Sequence, residues 1–156
     1  MQMIDSIFND PRFKRVGTNL PQGPDEPVRI PPARISYSFT GNTPEVILDK
    51  RSGTAFLFGR LLCENPYEFF QPLIEWAGSY VENPQPVTVV TINSDYINTG
   101  SSKALLEFLI ILASVQFTGR KIIIKWYSDK GDDITLELIE NMSDIIKVKI
   151  QIEQPQ

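Results

Sequence analysis

The sequence predicts an α/β fold in one domain, a mostly parallel sheet behind an antiparallel N-terminal hairpin, with about three helices. Three observations carry that prediction. At 156 residues the chain holds one core of ordinary size and is too short for two usual domains. Its 42% hydrophobic and 22% charged residues are those of a globular protein. From about residue 35 onward, short β-branched runs alternate with stretches of helical period, the signature of strands linked by helical crossovers.

The first 34 residues stand apart as a Pro-rich N-terminal extension. Pro11, Pro21, Pro24, Pro27, Pro31 and Pro32 remove backbone donors and restrict their neighbours, so an extended, flexible segment is expected. Ile4, Ile7, Phe8 and Phe13 offer at most a short amphipathic turn. Residues 35–156 form the expected domain.

Ile35, Tyr37 and Phe39 alternate with polar residues as in a half-buried strand. Val46–Leu48 and Ala55–Phe58 flank DKRSGT, where Gly53 suits a positive φ, so a hairpin is expected. In ENPYEFFQPLIEWAGSYVEN, Asn65 is placed as N-cap, Pro66 as first helical residue and Glu68 as the capping-box carboxylate. Phe69, Leu73, Trp76 and Tyr80 fall on one helical face, and Pro72 within it predicts a kink. VTVVTIN (Val87–Asn93) reads as a central strand. SSKALLEFLIILASVQF reads as a helix buried on most sides and stopped by Gly119, with its longest apolar run, Leu105–Ala113, short of a membrane span. KIIIKWY (Lys121–Tyr127) is a further strand and DKGDD a polar turn. Ile134, Leu138, Ile139 and Met142 mark a short helix. Alternating Ile146, Val148, Ile150 and Ile152 predict a closing strand.

Composition narrows function. Histidine is absent, which removes the commonest general base, the commonest metal ligand and every Ser-His or Cys-His pair. The single cysteine, Cys63, excludes an internal disulfide or a cysteine-cluster metal site and has no activating base beside it. A net charge of −4 and pI near 4.9 argue against a nucleic-acid binder. MQMIDSIFND carries no signal-peptide pattern, so a cytoplasmic location is expected, with no membrane association. No cofactor, metal or catalytic residue is assigned. Asp129, Asp132 and Asp133, with Asp95, would form a Mg²⁺ pocket only if they converged; a solvated turn is the simpler reading. Trp126 and Tyr127 lack the basic patch that base stacking needs.

The segment with functional promise is SDYINTGSSK, residues 94–103, between a strand and the buried helix. With Thr99 as N-cap, its hydroxyl would accept from the backbone N–H of Ser101 or Ser102. The helix end favours an anion, Gly100 permits close approach, and Lys103 stands one turn in. A phosphate there would add roughly −1.5 to −2 charges beside Asp95 and expel a partner docked over Tyr96, Asn98 and Thr99. Local chemistry alone leaves Thr99 as a plain cap or as a phosphate acceptor.

TPEVILD (Thr43–Asp49), GRLLCENPYEFFQPLIEW (Gly59–Trp76) and DYINTGSSKALLEFL (Asp95–Leu109) resemble successive blocks of the SiaC family of bacterial regulatory phosphoproteins. The likeness runs from about residue 35 to 150. It implies a STAS-like fold, similar to anti-anti-sigma factors, and phosphorylation of the threonine that falls on Thr99. It also implies a Ser/Thr kinase and a PP2C-like phosphatase as partners. The unphosphorylated form would activate a diguanylate cyclase, raising cyclic di-GMP in biofilm signalling, with no catalysis in this chain. The alternative is an anti-anti-sigma-like partner-switching protein that binds an anti-sigma kinase. Asp95, Tyr96, Asn98, Gly100, Ser101, Ser102 and Lys103 would surround the phosphosite and meet the partner. Gly100 replaces a frequent serine, and Leu61, Leu62 and Cys63 replace a more polar stretch, which bears on partner choice.

Overall fold

The computed structural model describes residues 30–128 and 133–154. Six strands form one sheet in chain order: β1 (Arg34–Tyr37), β2 (Glu45–Asp49), β3 (Thr54–Phe58), β4 (Val87–Asn93), β5 (Lys121–Tyr127) and β6 (Gln151–Glu153). The first two pairings are antiparallel and the last three parallel. The parallel steps are bridged by α1 (Pro66–Tyr80), α2 (Thr99–Ala113) and α3 (Asp133–Ile146). The expected α/β architecture is therefore present. Of the extension, only residues from Ile30 onward are described; Ile4, Ile7, Phe8, Phe13 and four of its prolines lie outside, as do Asp129 and Asp132.

Each crossover advances one strand in the same direction. Right-handed connections of that kind set all three helices on one face of the sheet. The registers agree, because Val46, Leu57, Ile92 and Trp126 form one cross-strand row and Leu48, Ala55, Val90 and Ile124 the next. All eight are buried and join the helices in a single core. The opposite face is only partly buried.

The β2–β3 hairpin forms as expected, with Gly53 at φ 67°. A side chain there is excluded as well as strained, since an added Cβ would stand 2.8 Å from the Tyr80 hydroxyl. Helix α1 starts at Pro66 behind the Asn65 cap, whose side chain accepts from Glu68 N–H at 3.3 Å. Glu68 reaches back to the Asn65 carboxamide at 2.9 Å, a variant of the expected capping box. The helix continues through Pro72 to Tyr80. Its buried stripe is wider than predicted, Phe70, Leu73, Ile74, Trp76, Ala77 and Tyr80, with Phe69 at the margin beside Tyr37 and Phe70. Trp76 stacks on Tyr80 at 5.1 Å, and both polar tips are satisfied, by the Ala33 carbonyl and the Thr88 hydroxyl.

Helix α2 is buried on most sides and passes into a 3₁₀ segment (Ser114–Thr118) that Gly119 ends in a left-handed conformation. The continuous run Thr99–Thr118, 20 residues, is long and apolar enough to cross a membrane by length and composition. The run is therefore longer than Leu105–Ala113 suggested, but it is mostly buried inside the domain.

Two expectations need correction. Tyr37 and Phe39 are 38% and 67% exposed, because β1 is an edge strand that ends at Tyr37. The closing strand does not begin at Ile146. Helix α3 runs to that residue, since Ile139, Met142 and Ile146 complete its buried stripe. Lys147 then turns at φ 62°, its N–H bonded to the Ser143 carbonyl, and β6 spans only Gln151–Glu153.

Candidate functional site

The β4–α2 loop, residues 94–98, leaves the carboxyl end of β4 beside the β3–α1 connector, residues 59–65. The two segments zip together as a short parallel extension of the sheet. Gly59 N–H donates to Asn93 O, Leu61 N–H to Tyr96 O at 2.7 Å, and Asn98 N–H to Leu61 O at 3.0 Å. Leu61 and Ile97 form a bridge, and Leu61 is fully buried. The apolar Leu61–Cys63 stretch is thus half of a structural clasp. Its Cys63 is buried as well, and that burial pushes the thiol above its ordinary value, with a hydrogen bond from Ser101 acting the other way.

Thr99 is not the N-cap. Asn98 takes that role, its Oδ1 accepting from Ser101 N–H at 2.8 Å, and Thr99 becomes the first helical residue. The carboxamide explains the preference: while Oδ1 accepts, its separate Nδ2 donates to the Cys63 carbonyl at 3.1 Å, so the two ends of one side chain serve two different segments. Asn98 therefore caps α2 and closes the clasp.

The three hydroxyls of the NTGSSK block have different fates. Thr99 is exposed. Ser101 is fully buried and its Oγ accepts from Cys63 N–H at 3.2 Å. Ser102 is half-buried and donates to the Thr99 carbonyl at 2.8 Å. Burial rather than sequence position separates them.

The other predicted residues lie on the same loop and on the first turn of α2. Tyr96 is 59% exposed, and the Arg60 guanidinium lies 5.1 Å from its ring centroid. Arg60 escaped the sequence reading because the pairing that brings it to Tyr96 is long-range. Asp95 is half-buried and accepts from Ser128 Oγ at 3.3 Å. Lys103 is exposed on the first turn of α2 and makes no ion pair among the described residues. Gly100 has a structural duty: a Cβ there would stand 2.9 Å from Pro66 Cγ, so the starts of α1 and α2 touch at this point.

The remaining candidates resolve simply. Trp126 is in the core and its indole N–H donates to Ser94 O. Asp133 opens α3, and the described residues contain no group of three acidic, cysteine or histidine side chains able to hold a metal. A groove of about 750 Å³ lies elsewhere, between α3 and the segment entering β6, lined by Glu140, Asp144, Lys147 and Lys149 among others.

Comparison with known proteins places these features in context. Residues 37–154 match the model of the SiaC family regulatory phosphoprotein. An uncharacterized protein of Pseudomonas aeruginosa strain UCBPP-PA14 is 29% identical over 101 residues, 65% of this chain and 80% of its own length. The fold matches SiaC of Pseudomonas aeruginosa with a TM-score of 0.70 at 24% identity, covering 78% of this chain and 98% of that one. It matches equally, at 25% identity and TM-score 0.70, a crystal structure of the diguanylate cyclase SiaD in complex with its activator SiaC, over 78% of this chain and 99% of that chain.

Proposed function

The chain belongs to the SiaC family of regulatory phosphoproteins, and from that premise we propose that it is a regulatory adaptor without catalysis of its own, switched by phosphorylation of Thr99. The observation that carries the choice of residue is the exposure of its side chain beside two hydroxyls that are buried or engaged. A kinase needs a hydroxyl it can reach, and Ser101 offers none. Thr99 also stands on the first turn of α2, where free backbone N–H groups and the helix dipole favour added negative charge.

The unphosphorylated form binds and activates a diguanylate cyclase, as the SiaC of the solved complex is described to do for SiaD. Tyr96, backed by Arg60, and the exposed start of α2 form the docking surface. A phosphate at Thr99 sets a dianion in that surface, next to Asp95, and desolvating it costs the complex more than the neutral contact returns. A Ser/Thr kinase and a PP2C-like phosphatase set the state, in the cytoplasm. Residues 35–156 form the regulatory domain, and residues 1–34 are an appended segment.

Peptide mass spectrometry of the protein from its own host, or after incubation with its cognate kinase and ATP, tests this reading. One phosphate on Thr99 is expected. The Thr99→Ala protein stays unmodified and captures the cyclase constitutively, whereas Thr99→Asp captures it weakly. Phosphate confined to Ser101 or Ser102 refutes the assignment.

A further inference from the structure

Because all three helices lie on one side of the sheet, no described element covers the other side. Three cross-strand rows make up that face: Glu45–Phe58–Asn93–Tyr127, Ile47–Phe56–Thr91–Lys125 and Asp49–Thr54–Val89–Ile123. Its apolar residues gather about β3. Phe56 and Phe58 stack with centroids 6.2 Å apart and planes within 1°, and Phe58 is 45% exposed. Ile47, Val89 and Ile123 flank them. The charges are divided by strand, with Arg34 on β1, Glu45 and Asp49 on β2, Lys121 and Lys125 on β5 and Glu153 on β6.

From this layout we propose that a second copy of the chain covers the face, in a two-fold dimer whose axis runs parallel to the strands between β3 and β4. Such an axis sets β3 over the partner's β4 and β2 over the partner's β5 without changing height along the strands. Phe56 then lies over the partner's Thr91 and Phe58 over the partner's Asn93, large side chains above short ones, as facing sheets about 10 Å apart require. The acids of β2 face the lysines of β5, twice by symmetry. An axis running across the strands would oppose acid to acid and lysine to lysine, which costs binding free energy instead. Charge therefore selects one of the two face-to-face arrangements. Glu45 and Lys125 stand one two-residue step apart in height, roughly 6.6 Å, within the reach of both side chains. Asp49 is already paired with Arg34 at 3.5 Å, which leaves Glu45 as the principal acid.

Sedimentation equilibrium of the full chain, from about 1 to 100 μM at two salt concentrations, tests the dimer, with far-UV circular dichroism confirming that each variant is folded. The native protein is expected to dimerise, more weakly at high salt. Phe58→Glu, at an exposed position, raises the dissociation constant at least about tenfold. Lys125→Glu also weakens the dimer, and adding Glu45→Lys returns it to within about threefold of the native value. A monomer at every concentration overturns the proposal, whether the face is then taken by the chain's own N-terminal residues or by a cyclase. A dimer indifferent to Phe58→Glu overturns it by placing the interface elsewhere. Failure of the double reversal to restore what Lys125→Glu loses overturns the orientation.

Discussion

A β-carbon added at Gly100 would stand 2.9 Å from Pro66 Cγ, so two opposed effects meet at this position. Alanine for glycine within the first turn of α2 gains roughly 0.5–1 kcal/mol of helix stability. Forcing a methyl into a full contact costs about 1–3 kcal/mol, and a proline ring yields only by repuckering. The clash prevails. Gly100→Ala is expected to lower unfolding stability by about 1 kcal/mol in urea denaturation, while on a Pro66→Ala background the same change becomes stabilising. Absence of that sign reversal would show that the starts of α1 and α2 are not in contact. In the sequence Gly100 stands out as room for an anion's close approach and as a replaced serine, not as a packing contact. The contact joins residues 34 positions apart, and no local pattern of chain period or capping reports such a pair.

At the scale of elements, capping decides where α2 begins and hence what Thr99 is free to do. Asn98 and Thr99 are adjacent and chemically acceptable caps, so sequence alone could not choose between them. The choice falls to Asn98 because the β3–α1 connector presents the Cys63 carbonyl to its Nδ2. Asn98→Ala should therefore cost about 2 kcal/mol, a lost cap together with a lost bond across the clasp. Thr99→Ala should cost less than about 0.5 kcal/mol, since its side chain is exposed and caps nothing. Paired thermal and urea unfolding of the two variants measures the contrast; equal losses would return the cap to Thr99. The same kind of ambiguity misplaced β6. Ile146 fits both the alternation running to Ile152 and the helical spacing from Ile139 and Met142, and the buried stripe of α3 claimed it. Strands β2, β4 and β5 were legible because they carry β-branched residues between turn signals, and β3 because DKRSGT marks it as the second arm of a hairpin.

At the scale of the whole molecule, the order of elements was legible in the sequence, but the one-sidedness of the sheet was not. Both doubly covered and singly covered sheets read as alternating strands and helices, and only the strand order, β1 to β6 in sequence, fixes every crossover to one side. That layout also bears on the proposed switch, since a phosphate on Thr99 would leave the core undisturbed. The clasp of residues 59–65 and 94–98 is held by backbone bonds and by the buried Leu61 and Cys63, none of which involves the Thr99 side chain. A phosphate on that side chain would meet the positive end of α2 and, one turn in, Lys103, and would displace no buried group. Phosphorylated and unphosphorylated protein should give superimposable far-UV circular dichroism, with the melting temperature of the phosphorylated form unchanged or raised by a few degrees at low salt. The gain should shrink as salt screens the phosphate from the helix end. A phosphorylated form that melts well below the unmodified one, or loses helix signal, would mean that the modification opens the clasp and that binding is lost through unfolding of the loop instead of through surface charge.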